Sequence, residues 1–168
     1  MERFIFLDID GVCNRDDTPE YTPMGYVGLD SRNLTYLKNI IDASGAKIVL
    51  TSTWRASWDP DYEKCDPDGK YMVDRFKEFG LEIFDKIPGW SLATRGHEID
   101  TYVKSHKLES WIVIDDEYFF DFSEYGITTE GETPNLLLTD YKLGLNSSDV
   151  ERVKYLFGMS EFEFFLKI

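Results

Sequence analysis

Short, mainly apolar runs alternate along this chain with longer segments whose apolar residues recur at helical spacing, and that alternation restricts the fold more than any single residue. Residues 4–7 (FIFL) are a continuous apolar run, the pattern of a strand covered on both faces. Asp30 or Ser31 can cap a helix carrying Leu34, Leu37, Ile40 and Ile41, and Gly45 stops it. Residues 46–50 form a second short buried strand. Residues 58–69, rich in Asp, Pro and Gly, read as loop, after which Met72, Phe76 and Phe79 predict a helix ended by Gly80. Residues 81–87 (LEIFDKI) supply a third strand. Thr94 can cap a helix bearing Ile99, Tyr102 and Val103. WIVI (111–114) and NLLLTD (135–140) complete the strand set. Ser148 and Glu151 predict a capping box ahead of Val153, Leu156 and Phe157. The closing EFEFFLKI (161–168) takes no assignment.

Such β-α order predicts an α/β fold: a Rossmann-like, open, mostly parallel sheet of about five strands with helices on both faces. At 168 residues, one domain over 1–168 is expected. A hydrophobic fraction of 42% with 15% aromatics rules out a disordered acidic chain. No apolar run approaches the ~20 residues of a membrane span, and the N-terminus lacks the order of a signal peptide. A cytoplasmic protein with no membrane partner is the expectation. Cys13 and Cys65 sit in no CxxC or Cys/His pattern and read as reduced thiols. A net charge of −14 argues against a broad basic face for nucleic acid, though a local contact is compatible with it.

In open parallel sheets ligands bind beyond the carboxyl ends of the strands. Strand one ends in Asp8 and Asp10, strand two in Thr51, Ser52 and Thr53, and strand four in Asp115 and Asp116. Side chains at i and i+2 of a strand share a face, so Asp8 and Asp10 are expected to line one pocket while Ile9 packs behind. Four carboxylates in so small a space raise one another's pKa unless a cation intervenes, and a hard divalent ion, Mg²⁺ above all, suits oxygen ligands. Gly11 lets the backbone turn sharply after Asp10. The hydroxyls of Thr51 and Ser52 are donors for phosphoryl oxygens. Arg95 opens a helix, where backbone N–H groups and a guanidinium could share an anion. Carboxylate nucleophile, metal, hydroxyl and cation make a phosphoryl-transfer site.

Plainer readings compete. Many strands end in acidic turns, and glycosyltransferases use DxD to hold a metal-bound nucleotide sugar. An EF-hand loop starting at Asp8 fails because its sixth position is Cys13 rather than Gly. Arg95 could be a surface residue at a helix start and Trp54 a core residue. His97 and His106 fit no metal spacing and are read as helix-surface residues.

FLDIDGVCN resembles the first motif of the haloacid dehalogenase (HAD) superfamily of phosphohydrolases, IVLTS its second and IVIDDE its fourth. More narrowly, GAKIVLTSTWR, RGHEI, VIDD and the late LLTD are similar to the HAD domains of Swiss-Army-knife RNA repair proteins. The resemblance implies that Asp8 attacks phosphorus to form an aspartyl-phosphate. It implies that Asp10 protonates the leaving oxygen and then activates water. Mg²⁺ would be held by the Asp8 carboxylate, the Asp10 backbone carbonyl and Asp116, with Asp115 in support. Thr51 would bind the phosphoryl group, with Ser52 as the alternative. The superfamily's third motif is usually lysine; here Arg95 takes that place, with Lys86 and Lys104 as alternatives. Trp54 and Arg55, directly after the second motif, would touch the leaving group.

HAD enzymes usually choose substrates with an inserted cap domain, and residues 15–29 are too few for a large one. Residues 57–89 have room for a small helical flap. An open site suits phosphates on large molecules, so RNA ends or nucleotides are the leading substrate class, with small phosphate esters beside them. The acidic charge opposes a polyanion. A HAD-fold binding module without chemistry is the non-enzymatic alternative.

Overall fold

The central strand β1 (Phe4–Leu7) is flanked by two parallel neighbours, β2 (Lys47–Leu50) and β4 (Trp111–Asp115), and the outer positions are taken by β3 (Ile83–Lys86) and β5 (Leu136–Leu138). The order is β3-β2-β1-β4-β5, with every pairing parallel. This computed structural model describes residues 1–89 and 94–160. In the register across β1, Leu7 lies opposite Leu50 on one side and Ile114 on the other, so the three strands end within one residue of one another. That common end is where the functional residues meet.

Alternation along the strands divides the core in two. Ile5, Leu7, Ile48, Leu50, Ile112, Ile114 and Leu137 face a layer built from α1 (Ser31–Ser44), α2 (Pro67–Glu78) and α4 (Ser147–Leu156). Phe4, Phe6, Val49, Val113 and Leu136 face α3 (Arg95–His106) and the segment carrying Phe122 and Ile127. Helices on both faces of a parallel sheet are the arrangement that the β-α order predicts.

Local signals set the helix ends. Asp30 is the α1 N-cap, accepting from the Arg32 N–H, and Gly45 closes the helix in the left-handed region. The helix expected around Met72 and Phe76 starts earlier than its apolar pattern suggests. Asp66 caps it by accepting from the Gly69 N–H, and Pro67 enters the first turn, where its missing N–H costs nothing. This helix is the β2–β3 crossover packed on the core, not a flap over the site. The capping box of α4 is Asn146 with Asp149, rather than Ser148 with Glu151. Thr94 holds the N-cap position of α3 without a side-chain capping bond. Residues 161–168 lie outside the described residues. Among the described residues no helix is long and apolar enough to cross a membrane, and no large cap interrupts the sheet.

Candidate active site

Asp8 is the first residue beyond β1, and its N–H still donates to the Ile114 carbonyl at 2.9 Å. Continuing the strand's alternation, its side chain turns to the α3 face, where it meets Arg95 and Asp115. Arg95 Nη1 stands 2.6 Å from Asp115 Oδ2 and 3.2 Å from Asp8 Oδ1, with all three side chains buried. The guanidinium also lies 4.4 Å from the centre of the Phe119 ring, which shields the pair from water. Asp115 Oδ1 accepts from the Glu117 N–H at 3.0 Å.

Carboxylate oxygens of Asp8, Asp115 and Asp116 lie within 4.8 Å of one another. Burial pushes the Asp8 carboxyl well above its usual range, and Asp115, Asp116 and Asp10 add to that against the pull of Arg95. Asp115 is raised by burial, again against Arg95. Asp116 is pushed up to about 6, by burial first and by Asp115 next. One guanidinium does not neutralise three crowded carboxylates. Their all-oxygen donor set and surplus of negative charge fit a hard divalent cation such as Mg²⁺.

Asp10 leaves the triad. The chain turns at once after β1, with the N–H groups of Val12 and Cys13 both donating to the Ile9 carbonyl, so Asp10 is carried out to solvent while Asp8 stays buried. The pair lines one pocket with Ile9 packed behind, as expected, but through this turn rather than through strand alternation, because β1 ends at Leu7. Asp10 Oδ1 accepts from Asn14 Nδ2 at 2.8 Å and Oδ2 from the Trp54 indole N–H at 3.1 Å. Both aspartates border one cleft of about 680 Å³, with Ser52, Arg95 and Asp116. Gly11 has φ of +73°, and a Cβ there would fall within 3 Å of three Asp116 side-chain atoms. Only glycine lets this turn approach the fourth motif so closely.

The second motif divides its hydroxyls. Ser52 lines the cleft, and its Oγ accepts from the Trp54 N–H at 3.3 Å. Thr51 is fully buried, and its Oγ1 has no hydrogen-bond partner among the described residues. Arg95 Nε is likewise buried and unpartnered. These are donors of the kind phosphoryl oxygens accept from.

Other expectations are redirected. Arg55 is 2% exposed and grips the Gly89 carbonyl with Nε and Nη2, at 3.2 and 2.8 Å, the Thr51 carbonyl with Nη1, and Glu98 at 3.3 Å. It braces the loop after β2 from behind and does not line the cleft. Lys86 Nζ donates to the Arg55 and Trp58 carbonyls, and Lys104 pairs with Asp100 on the exposed side of α3. Neither stands at the cleft, whereas Arg95 does. The α3 N-terminus is already supplied with an anion of the chain's own: Asp121 accepts from the His97 N–H at 3.1 Å. His97 and His106 are exposed.

Three supporting residues escape a reading of sequence alone. Asn14 fastens Asp10 while accepting from the Gly11 N–H at 2.9 Å. Thr139, beyond β5, donates to the Gly11 carbonyl at 2.7 Å, and its own N–H donates to the Asp115 carbonyl at 2.9 Å, tying first and fourth motifs together. Asp121 is the third. The polar Thr139 at a strand end was a signal in hand, while Asn14 and Asp121 carried none.

No curated protein sequence matches the chain significantly. The family model described as the HAD domain in Swiss Army Knife RNA repair proteins matches residues 4–150, from β1 into α4, and so spans the three strand ends that meet at the cleft. With that extent of match, and a parallel α/β sheet around its motifs, the chain belongs to the family of HAD domains found in Swiss Army Knife RNA repair proteins.

Proposed function

We propose that this chain is a Mg²⁺-dependent phosphohydrolase that works through an aspartyl-phosphate on Asp8, with nucleotides or RNA-end phosphates as its substrates. The observation that carries the reading is the set of Asp8, Asp115 and Asp116 carboxylates within 4.8 Å of one another, with Asp10 held beside them on the open side of the cleft.

In this reading Asp8 Oδ attacks phosphorus, the bond to the leaving oxygen breaks, and Asp10 gives that oxygen a proton. Water then attacks the phosphoryl group, Asp10 takes its proton back, and the bond to Asp8 breaks to release inorganic phosphate. The hydrogen bonds from Asn14 and Trp54 aim Asp10 for both proton transfers. Arg95, Ser52 and the buried Thr51 hydroxyl present donors to the phosphoryl oxygens, and Arg95 holds Asp8 and Asp115 in place. Asp8, Asp115, Asp116 and the Asp10 carbonyl would hold the cation, which neutralises charge between the attacking carboxylate and the phosphoryl group when bound.

The test is a screen of purified protein with Mg²⁺ against RNA and DNA bearing 5′-, 3′- or 2′-phosphates and against small phosphate esters. Turnover that disappears in Asp8→Asn is expected. A protein that folds, binds Mg²⁺ and releases phosphate from none of these would leave the binding-module reading in its place.

A further inference from the structure

We propose that the pocket on the Trp54 side of Asp10 receives a nucleobase, so that the phosphate delivered to Asp8 is carried by a single nucleotide, free or at a strand end. The inference rests on the phosphohydrolase reading and adds to it the recognition of the leaving group. A second cavity, of about 520 Å³, opens beside the catalytic cleft and shares Asp10 and Thr53 with it. Because Asp10 protonates the leaving oxygen, whatever that oxygen is attached to lies on this side. The cavity is bordered by Tyr26, Val27, Trp54, Ser57 and Asp68, with neither lysine nor arginine in its lining among the described residues. A flat neutral ring suits it, and a run of phosphates does not.

The aromatic wall is open to solvent. Tyr21, Met24, Tyr26 and Val27 are 65%, 61%, 66% and 40% exposed, all within one short segment. That segment is a tight hairpin rather than a slack loop. Tyr21 and Val27 form an antiparallel bridge, the Thr22 N–H donates to the Tyr26 carbonyl at 2.8 Å, and the Tyr26 N–H donates to Thr22 Oγ1 at 3.1 Å. It is fastened to α2 by the Met24 N–H on Asp68 Oδ1 at 3.0 Å and by the Leu29 N–H on the Tyr71 hydroxyl at 2.9 Å. A mounted aromatic loses little freedom when a ring stacks on it. Asp68 is buried to 6% exposure and gives Oδ1 to Met24, so the acceptor capacity left at the pocket's edge favours a ring that carries N–H donors. Nucleobases have such donors; a plain aryl group has none.

The experiment compares kcat/KM of the full chain with Mg²⁺ for adenosine 3′- and 5′-monophosphates, 3′- and 5′-phosphorylated oligonucleotides, glycerol phosphate and phenyl phosphate. A nucleotide preference over glycerol phosphate of about tenfold or more is expected, in keeping with one stacked base. It should collapse in Tyr26→Ala and be retained in Tyr26→Phe. The oligonucleotide and mononucleotide arms identify the source of the nucleotide. Separately, unphosphorylated adenosine should shift the Trp54 indole N–H resonance, assigned by its loss in Trp54→Phe. Equal rates on nucleotides and glycerol phosphate with no Trp54 shift, or a preference for phenyl phosphate, overturn the subsite and leave the phosphohydrolase reading standing. A Trp54 shift with no ester turned over would do the reverse.

Discussion

Replacing Gly11 by alanine asks two separate things of the site. The residue sits at φ of +73°, where an L side chain costs about 1–2 kcal/mol. The new Cβ would also overlap the Asp116 carboxylate, with the carboxyl carbon 2.6 Å away, and overpacking of that sort costs about 1–3 kcal/mol. The sum, roughly 2–5 kcal/mol, corresponds to a fall in Tm of about 5–15 °C for a domain of this size. Because relief comes most cheaply by swinging Asp116 away, Mg²⁺ affinity should drop about 10–100-fold as well. Thermal unfolding by circular dichroism and Mg²⁺ titration by calorimetry read the two effects apart. A double-mutant cycle with Asp116→Gly isolates the clash, for removing the obstructing carboxylate should recover the steric part and leave the backbone part. Gly11→Ala melting with the parent and binding Mg²⁺ as tightly would refute the reasoning.

Two other perturbations probe the electrostatics. Asp116 has its pKa raised from about 4 to about 6, so between those values the metal-free native state binds more protons than the unfolded chain, and stability must fall as pH rises through that window. Metal-free Tm should therefore decline from pH 4 to pH 7, less steeply in Asp116→Asn, and millimolar Mg²⁺ should reverse the decline by binding the ionised carboxylates; a Tm flat or rising over that range without metal would count against the crowded triad. Arg95→Met leaves Asp8 and Asp115 buried without their cation, a loss of about 3–5 kcal/mol when one partner of a buried pair is removed. Chemical denaturation should show that deficit narrowing when Mg²⁺ is added, and a deficit indifferent to Mg²⁺ would mean the guanidinium and the cation do not share these carboxylates.

The central strands were legible because each is a short run, apolar but for Lys47 at the start of β2, closed by a polar cluster. Parallel order then brought Asp8, Ser52 and Asp115 to one edge without knowledge of a single contact. Ends of helices were harder. Ser148 and Glu151 match the spacing of a capping box, yet Asn146 and Asp149 offer the same chemistry two residues earlier, and only the backbone chooses between them. Arg55 and Arg95 look alike as cations next to motifs. One is drawn inward by the Gly89 and Thr51 carbonyls and the other by two carboxylates, and each choice depends on a partner distant in sequence. Thr139 reaches Gly11 across 128 positions, a separation at which local pattern holds no information.

The near-level ending of β1, β2 and β4 bears on how the molecule comes apart. The amides just past these strands remain in the ladder, Asp8 on Ile114 and Thr51 on Leu7, so the reactive groups hang from strands that each have a hydrogen-bonded neighbour on both sides. Fraying starts at β3 and β5, where one flank is open. A molecule breathing at its margins thus keeps the strand ends that carry its chemical centre assembled.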